Sequence, residues 1–274
     1  MSAAATGQVA TASRRSRTWS RLITAEILKL RKRRGLLWSS IALVIGPQLV
    51  ADTVLAALHA ADPAKYDPAG GVDNLTGGVD VLLTLGVVAA IMIGAPAGAG
   101  DLNAGVFREL VATGRSRIQL FLVRIPGGLA LVLPLAALSF AGSAIACVLL
   151  AGNLEPPSPS VLVKTGLWVL LGFTLQFALA LGLASLVGSR SITIGVVLAW
   201  QLVVVHLLAS FTKLGMAREF LSIPAFDRLA PGPLANNGGS GDIAMSVVAA
   251  VAVLVGWLLV PLVVGAWRTA SRDA

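Results

Sequence analysis

Six apolar stretches, at about 36–60, 79–100, 118–150, 161–188, 191–212 and 243–267, govern what this chain can fold into. Each is long enough to cross a bilayer core, which takes roughly 20 helical residues. In hydrocarbon every backbone N–H and C=O must find its partner inside the protein, which leaves only helices or a closed barrel. None of the stretches shows the ten-residue alternation of a barrel strand. The pattern therefore predicts an all-α integral membrane protein with six transmembrane helices. A chain with 56% hydrophobic and only 12% charged residues is also far from an ordinary soluble domain, whose charged share is about 25%.

The cationic residues divide unevenly between the two ends of these spans. Sixteen fall on one side: within residues 1–35, at Arg108, Arg115, Arg117 and Arg124, and at Arg190, Arg268 and Arg272. The other side holds five, Lys65, Lys164, Lys213, Arg218 and Arg228. Positive residues stay inside, so both termini are expected in the cytoplasm. Anionic inner-leaflet lipid accounts for the net charge of +8, and no nucleic-acid partner is expected. The single Cys147 lies within the third span and can form no internal disulfide; it reads as a small core residue.

Residues 1–17 read as a disordered basic tail and 18–34 as an amphipathic elbow helix, followed by a transmembrane domain over 35–274. The basic lead and the first apolar stretch are both too long for a cleaved signal peptide. Trp19, Leu22, Ile23, Ile27 and Leu30 recur at helical spacing on one stripe, with Arg21 and Thr24 away from it. Glu26 falls in the middle of that stripe, where an unpaired carboxylate is costly, so it is expected to pair with a cationic residue of a neighbouring element or to face protein.

Between the second and third apolar stretches lies DLNAGVFRELVATGRSR, residues 101–117. Asp101 or Asn103 can cap a short helix there. Leu102, Val106, Phe107 and Leu110 would form its apolar ridge, and Gly114 supplies a left-handed stop. Ser116 and Gln119 match a capping box that starts the third span. A helix so punctuated presents a rigid surface, with Arg108 and Glu109 on its flank.

The basic helix with its A-E-I-L-K-L-R-K-R-R run, the six spans and the segment from Asp101 through GVFRELVATGRSR resemble the permease subunit of ATP-binding-cassette transporters of the type-2 export class. In that family the segment commonly reads glycine, a short apolar-acidic helix, then Thr-Pro-Val-Ser-Arg. Here Thr113-Gly114-Arg115-Ser116-Arg117 lacks the proline, though glycine also ends a helix. The resemblance implies that residues 102–113 are a coupling helix seated in a separate ATPase subunit, beside the elbow. The residues it assigns to coupling are Glu26, Asp101, Val106, Phe107, Arg108, Glu109, Leu110 and Arg115. It further implies a homodimer in the cell (plasma) membrane, of the bacterial inner-membrane kind, with ATP and magnesium on the partner ATPase and no cofactor on this chain.

The chain cannot supply that ATPase. None of its five lysines follows a glycine as a phosphate-binding loop requires. His59 and His206 lack the clustered carboxylates or cysteines of a metal site, and no serine stands in a nucleophile elbow. No catalytic role is therefore expected for the chain itself. Polar residues inside the spans are the candidates for a substrate path: Gln48 and Asp52 in the first span, on one face with His59, and Gln201 and His206 in the fifth. Asp52 and His206 fall at nearly equal depth, so a contact between them is allowed, across opposing subunits of a dimer or as a packing pair. Arg124 is expected to snorkel to the headgroups. Gly94 and Gly98 form a G-x-x-x-G, a sign of close helix approach, and Pro47, Pro126, Pro134 and Pro261 mark kinks. Segments 61–78 and 151–160 read as connectors. The apolar cluster Phe220, Leu221, Ile223, Phe226 and Leu229 within 213–242 suits an outer cap. An amphipathic or lipid-like cargo moved outward is the function expected; a secondary transporter or membrane scaffold without an ATPase is the alternative.

Overall fold

A computed structural model describes residues 19–235, 243 and 245–272. The expected basic tail, residues 1–17, lies outside the described residues. Among those described there is no strand, and six helices are long and apolar enough to span a membrane. They are Arg34–Ala61, Gly71–Asn103, Arg117–Leu149, Pro159–Val187, Arg190–Ser210 and Val247–Ser271, called here the first to sixth spans. The architecture is that of an all-helical, multi-pass membrane protein.

The second and fourth spans form the centre. Of their most apolar stretches, 61% and 67% are buried, against 11% for the first and sixth spans. Glycine makes that centre possible. A Cβ on Gly94 would stand 2.7 Å from Phe177 O, and one on Gly98 would stand 2.4 Å from Leu181 O, so the two backbones meet as the G-x-x-x-G spacing predicts. On the other side of the fourth span, a Cβ on Gly182 would lie 2.2 Å from Pro261 O of the sixth. Phe121, Phe173 and Phe177 fill the remaining interior. The outer faces stay apolar and uncovered, with Trp38, Leu138, Leu207, Val248 and Trp267 all more than 60% exposed. Such a surface is unfavourable in water and neutral against lipid tails.

The connections alternate between two ends. One end, the basic face, carries the 104–116 connection, the Gly188–Ser189 turn and both described termini. Gly188 ends the fourth span in the left-handed region (φ 79°) and Ser189 Oγ accepts from Ile192 N to start the fifth. The opposite end, the far face, carries the segments 62–70, 150–158 and 211–235. The lysines and arginines segregate between these ends as the sequence divides them.

Several boundaries differ from those expected. The second span begins at Gly71, not near residue 79. Its first turns are poor in apolar residues, but Gly70 fits against Cys147 O and Ala151 N at distances no Cβ allows, and Asn74 Nδ2 donates to Pro68 O and Gly70 O. Packing rather than hydropathy extends this helix. The third span is interrupted at Val123, because Pro126 has no N–H to return to Leu122 O. Among the described residues two wide turns of π-helix occur, at Leu82–Gly86 in the second span and Trp200–Val204 in the fifth.

Between the fifth and sixth spans a short helix, Ser222–Asp227, lies over the far face. Trp168 stacks on Phe226 with ring centroids 4.4 Å apart and donates from Nε1 to Phe226 O at 3.0 Å. Trp257 Nε1 donates to Phe220 O at 2.9 Å. The apolar cluster of this segment thus forms a cap held by the fourth and sixth spans; residues 236–242 and 244 lie outside the described residues.

Candidate functional site

At the basic face, residues 19–31 form a helix that ends against the start of the first span. Its apolar stripe is partly covered, Leu30 completely so. Glu26 sits where the periodicity puts it, with its Cβ against Gly127 of the third span. It pairs with Lys29 of its own helix, one turn on, at 2.6 Å. Lys29 Nζ also reaches Asp101 Oδ1 at 2.9 Å, and Arg124 Nη2 meets Asp101 Oδ2 at 2.8 Å. Arg124 Nη1 donates to Gly98 O at 2.9 Å, and Ser185 Oγ donates to the same oxygen at 3.3 Å. One carboxylate therefore ties together the N-terminal helix, the second span and the third.

This arrangement corrects two expectations. Arg124 does not snorkel: it is 1% exposed, because a carboxylate and a carbonyl at the same depth satisfy it better than a reach to the headgroups would. Asp101 caps no helix. The second span runs on to Asn103, so Asp101 and Leu102 belong to its last turn, and the Asp101 carboxylate, 4% exposed, points inward. Asn103 is likewise no cap, and donates instead to Gly188 O.

The connecting helix is Phe107–Ala112, set off by Gly105 and Gly114, both at positive φ. It starts later than expected, since Gly105 breaks the chain after the second span. Phe107 is buried at 5% exposure and anchors the helix to the bundle, whereas Val106, Arg108, Glu109 and Arg115 are exposed and Leu110 is half-buried. Ser116 Oγ accepts from Gln119 N and caps the next helix as the capping-box reading anticipates. Arg117 Nη1 donates to the Ala270 and Arg272 carbonyls, and Arg272 Nη2 donates to Leu186 O, which binds the ends of the third, fourth and sixth spans together.

The polar residues of the spans separate into two groups. Gln48, 3% exposed, donates from Nε2 to Asp52 Oδ1 and to Ser143 Oγ, each at 2.9 Å. These two contacts occupy the space that a Cβ on Gly78 would need, so Gln48 and Asp52 join the first three spans. His59 Nδ1 donates to Tyr66 O in the following connection. Gln201 and His206 belong elsewhere, on the wall of a cavity of about 550 Å³ among the second, fourth, fifth and sixth spans, under the cap. Within one chain, Asp52 and His206 thus occupy different sites despite their equal depth.

The cavity wall includes Asp80, Thr84, Trp168, Gln176, Gln201 and His206, and the cap contributes Ser222, Phe226 and Asp227. Both π-turns reach it, through Leu83 and Thr84 and through Gln201 and Leu202. Gln176 Oε1 and Gln201 Oε1 are buried without a hydrogen-bond donor. Sequence reasoning missed Asp80, Gln176 and Asp227; their signal was present, as polar residues in or beside apolar spans. Among the described residues no group of histidine, cysteine and carboxylate could hold a metal ion. No protein-family model and no curated protein sequence matches the chain.

Proposed function

We propose that this chain is the membrane-spanning permease subunit of an ATP-driven exporter, working as a homodimer with a separate ATPase that binds ATP and magnesium. The observation that carries the reading is the Phe107–Ala112 helix, which offers exposed Arg108 and Glu109 while the chain entering it is fixed through buried Asp101. A motor can move spans only through contacts that differ between its states. A short helix rooted in a buried ion pair passes such a push to the second and third spans and, through Lys29, to the N-terminal helix. With the basic face in the cytoplasm, the cap lies at the outer end, the exit side for an amphipathic or lipid-like cargo.

Co-purification tests this. The wild type should bring down a nucleotide-binding subunit from its native membrane, and Glu109→Lys should lose it while thermal stability stays within about 0.5 kcal/mol, as for an exposed substitution. Gradient-driven exchange by the chain alone in liposomes would instead establish the secondary-transporter reading.

A further inference from the structure

We propose that a second pocket, at the basic face, binds the phosphate of an anionic phospholipid from the adjoining leaflet. The proposal does not depend on the transport reading, because it rests on the chain's own charges. The pocket, about 370 Å³, lies where the first span starts, the second ends and the fifth starts. Its wall is polar, made by Arg33, Asn103, Ser189, Arg190 and Ser191 with two small residues. Span ends sit at headgroup depth, since the apolar stretches beyond them fill the hydrocarbon. Basic pockets between helices at that depth suit lipid headgroups.

Two cations share this wall, and among the described residues no carboxylate lines it. Elsewhere on the same face cations are matched: Lys29 and Arg124 hold Asp101, and Arg117 and Arg272 donate to carbonyls at span ends. The guanidinium groups of Arg33 and Arg190 have no such acceptor among the described residues. Arg33 is half-buried and its place is set by a glycine. Outside its own helix, a Cβ on Gly100 would approach only Arg33, with Nη2 at 3.2 Å and Cζ at 3.9 Å. Two like charges on one wall repel each other. An oxyanion between them turns that repulsion into attraction, and the planar guanidinium fork matches phosphate geometry.

The fifth span adds backbone donors. Ser189 Oγ accepts from Ile192 N and Ser189 O from Thr193 N, while the N–H groups of Arg190 and Ser191 have no partner among the described residues. Such groups at a helix start favour an anion. Asn103, donating to Gly188 O, ties the end of the second span to this turn. The wall holds no long apolar side chain, so phosphate and glycerol fit it and acyl chains do not. Trp38, Ile192 and Val196, exposed farther along the first and fifth spans, offer the acyl chains their surface.

The experiment titrates the full chain, delipidated in detergent and without any ATPase, with dioleoyl phosphatidylglycerol or dioleoyl phosphatidylcholine, and counts bound lipid by native mass spectrometry. The first phosphatidylglycerol is expected to bind saturably and several-fold more tightly than phosphatidylcholine, whose choline brings a cation against the arginines. Arg33→Gln and Arg190→Gln should each weaken it about fivefold, the effect of one cation beside an anionic headgroup. Gly100→Leu keeps both charges but fills the space between them, and should weaken it as much. Arg268→Gln, exposed on the same face and outside the pocket, should leave the first site unchanged. A thermal melt of each variant separates lost affinity from lost fold, and exposed Arg190 gives a variant whose fold is safe. A hundredfold excess of glycerol phosphate should not displace the lipid; displacement would assign the pocket to a soluble phosphate and overturn the lipid source. Equal affinity for the two lipids overturns the proposal. So does wild-type affinity in folded Arg190→Gln or Gly100→Leu, or an equal loss in Arg268→Gln, which would mean diffuse attraction to the whole face. Failure of the co-purification test would leave each of these outcomes unaltered.

Discussion

The two ends of the bundle treat buried polarity in opposite ways. At the basic face, Asp101 and Arg124 are both almost fully buried and meet at 2.8 Å, with Lys29 on the same carboxylate. Under the cap, Gln176 and Gln201 belong to the cavity wall, and their enclosed amide oxygens have no donor. Desolvated charge is tolerated only where its partner is fixed, so the first end is committed to one arrangement. The second retains bonding capacity that the fold does not use. On the proposed permease reading, the stiff end is where force would enter.

The comparison breaks most readily at the ion pair. Arg124→Met should cost about 3–5 kcal/mol, because it strands the Asp101 carboxylate. Thermal unfolding in detergent should show this, with much of the loss regained in the double variant Asp101→Asn/Arg124→Met, where neither charge is orphaned. A double variant as unstable as the two singles added together would mean the pair does not act as a unit.

At the other end, effects should be smaller and local. Trp168→Phe keeps the stack on Phe226 and removes one hydrogen bond, worth about 1 kcal/mol. Amide hydrogen exchange should quicken across 211–235 and remain unaltered across 101–124. The smallest effect is expected for Gln176→Leu, which should leave stability within about 0.5 kcal/mol of wild type or raise it, since it removes an acceptor that already lacks a partner. A large destabilisation there would show that the amide is part of the packing and erase the contrast between the ends.

How much of this was legible in the sequence depended on the range of the interaction concerned. The six spans followed from apolar length, and a close helix approach from Gly94 and Gly98, though not that the fourth span is what meets them. The cap followed from Phe226 and its neighbours. Glu26 announced its need for a partner by interrupting its stripe, though the partner proved to be Lys29 one turn away. Arg124 misled because its acceptor, Asp101, lies across a turn, and no periodicity reports that two polar residues face each other. Asp52 and His206 illustrate the same limit, since equal depth says nothing about which neighbours surround each helix. The start of the second span was hidden because GVDNLTGG folds through glycine contacts with the third span rather than through its own hydropathy. Neither π-turn left a trace in composition.

Each of those two wide turns accommodates one residue more than an α-turn of the same height, so side chains above and below it are out of phase by about 100°. In the second span, Gly94 and Gly98 must stay on the fourth span's backbone, which fixes the lower part of the helix. Deleting a single residue from Leu82–Gly86 would therefore swing the upper part, carrying Asp80 off the cavity wall while the packed seam below stayed shut. Which residues one helix turns to the cavity and which it turns to its neighbour are thereby set by a single extra amino acid.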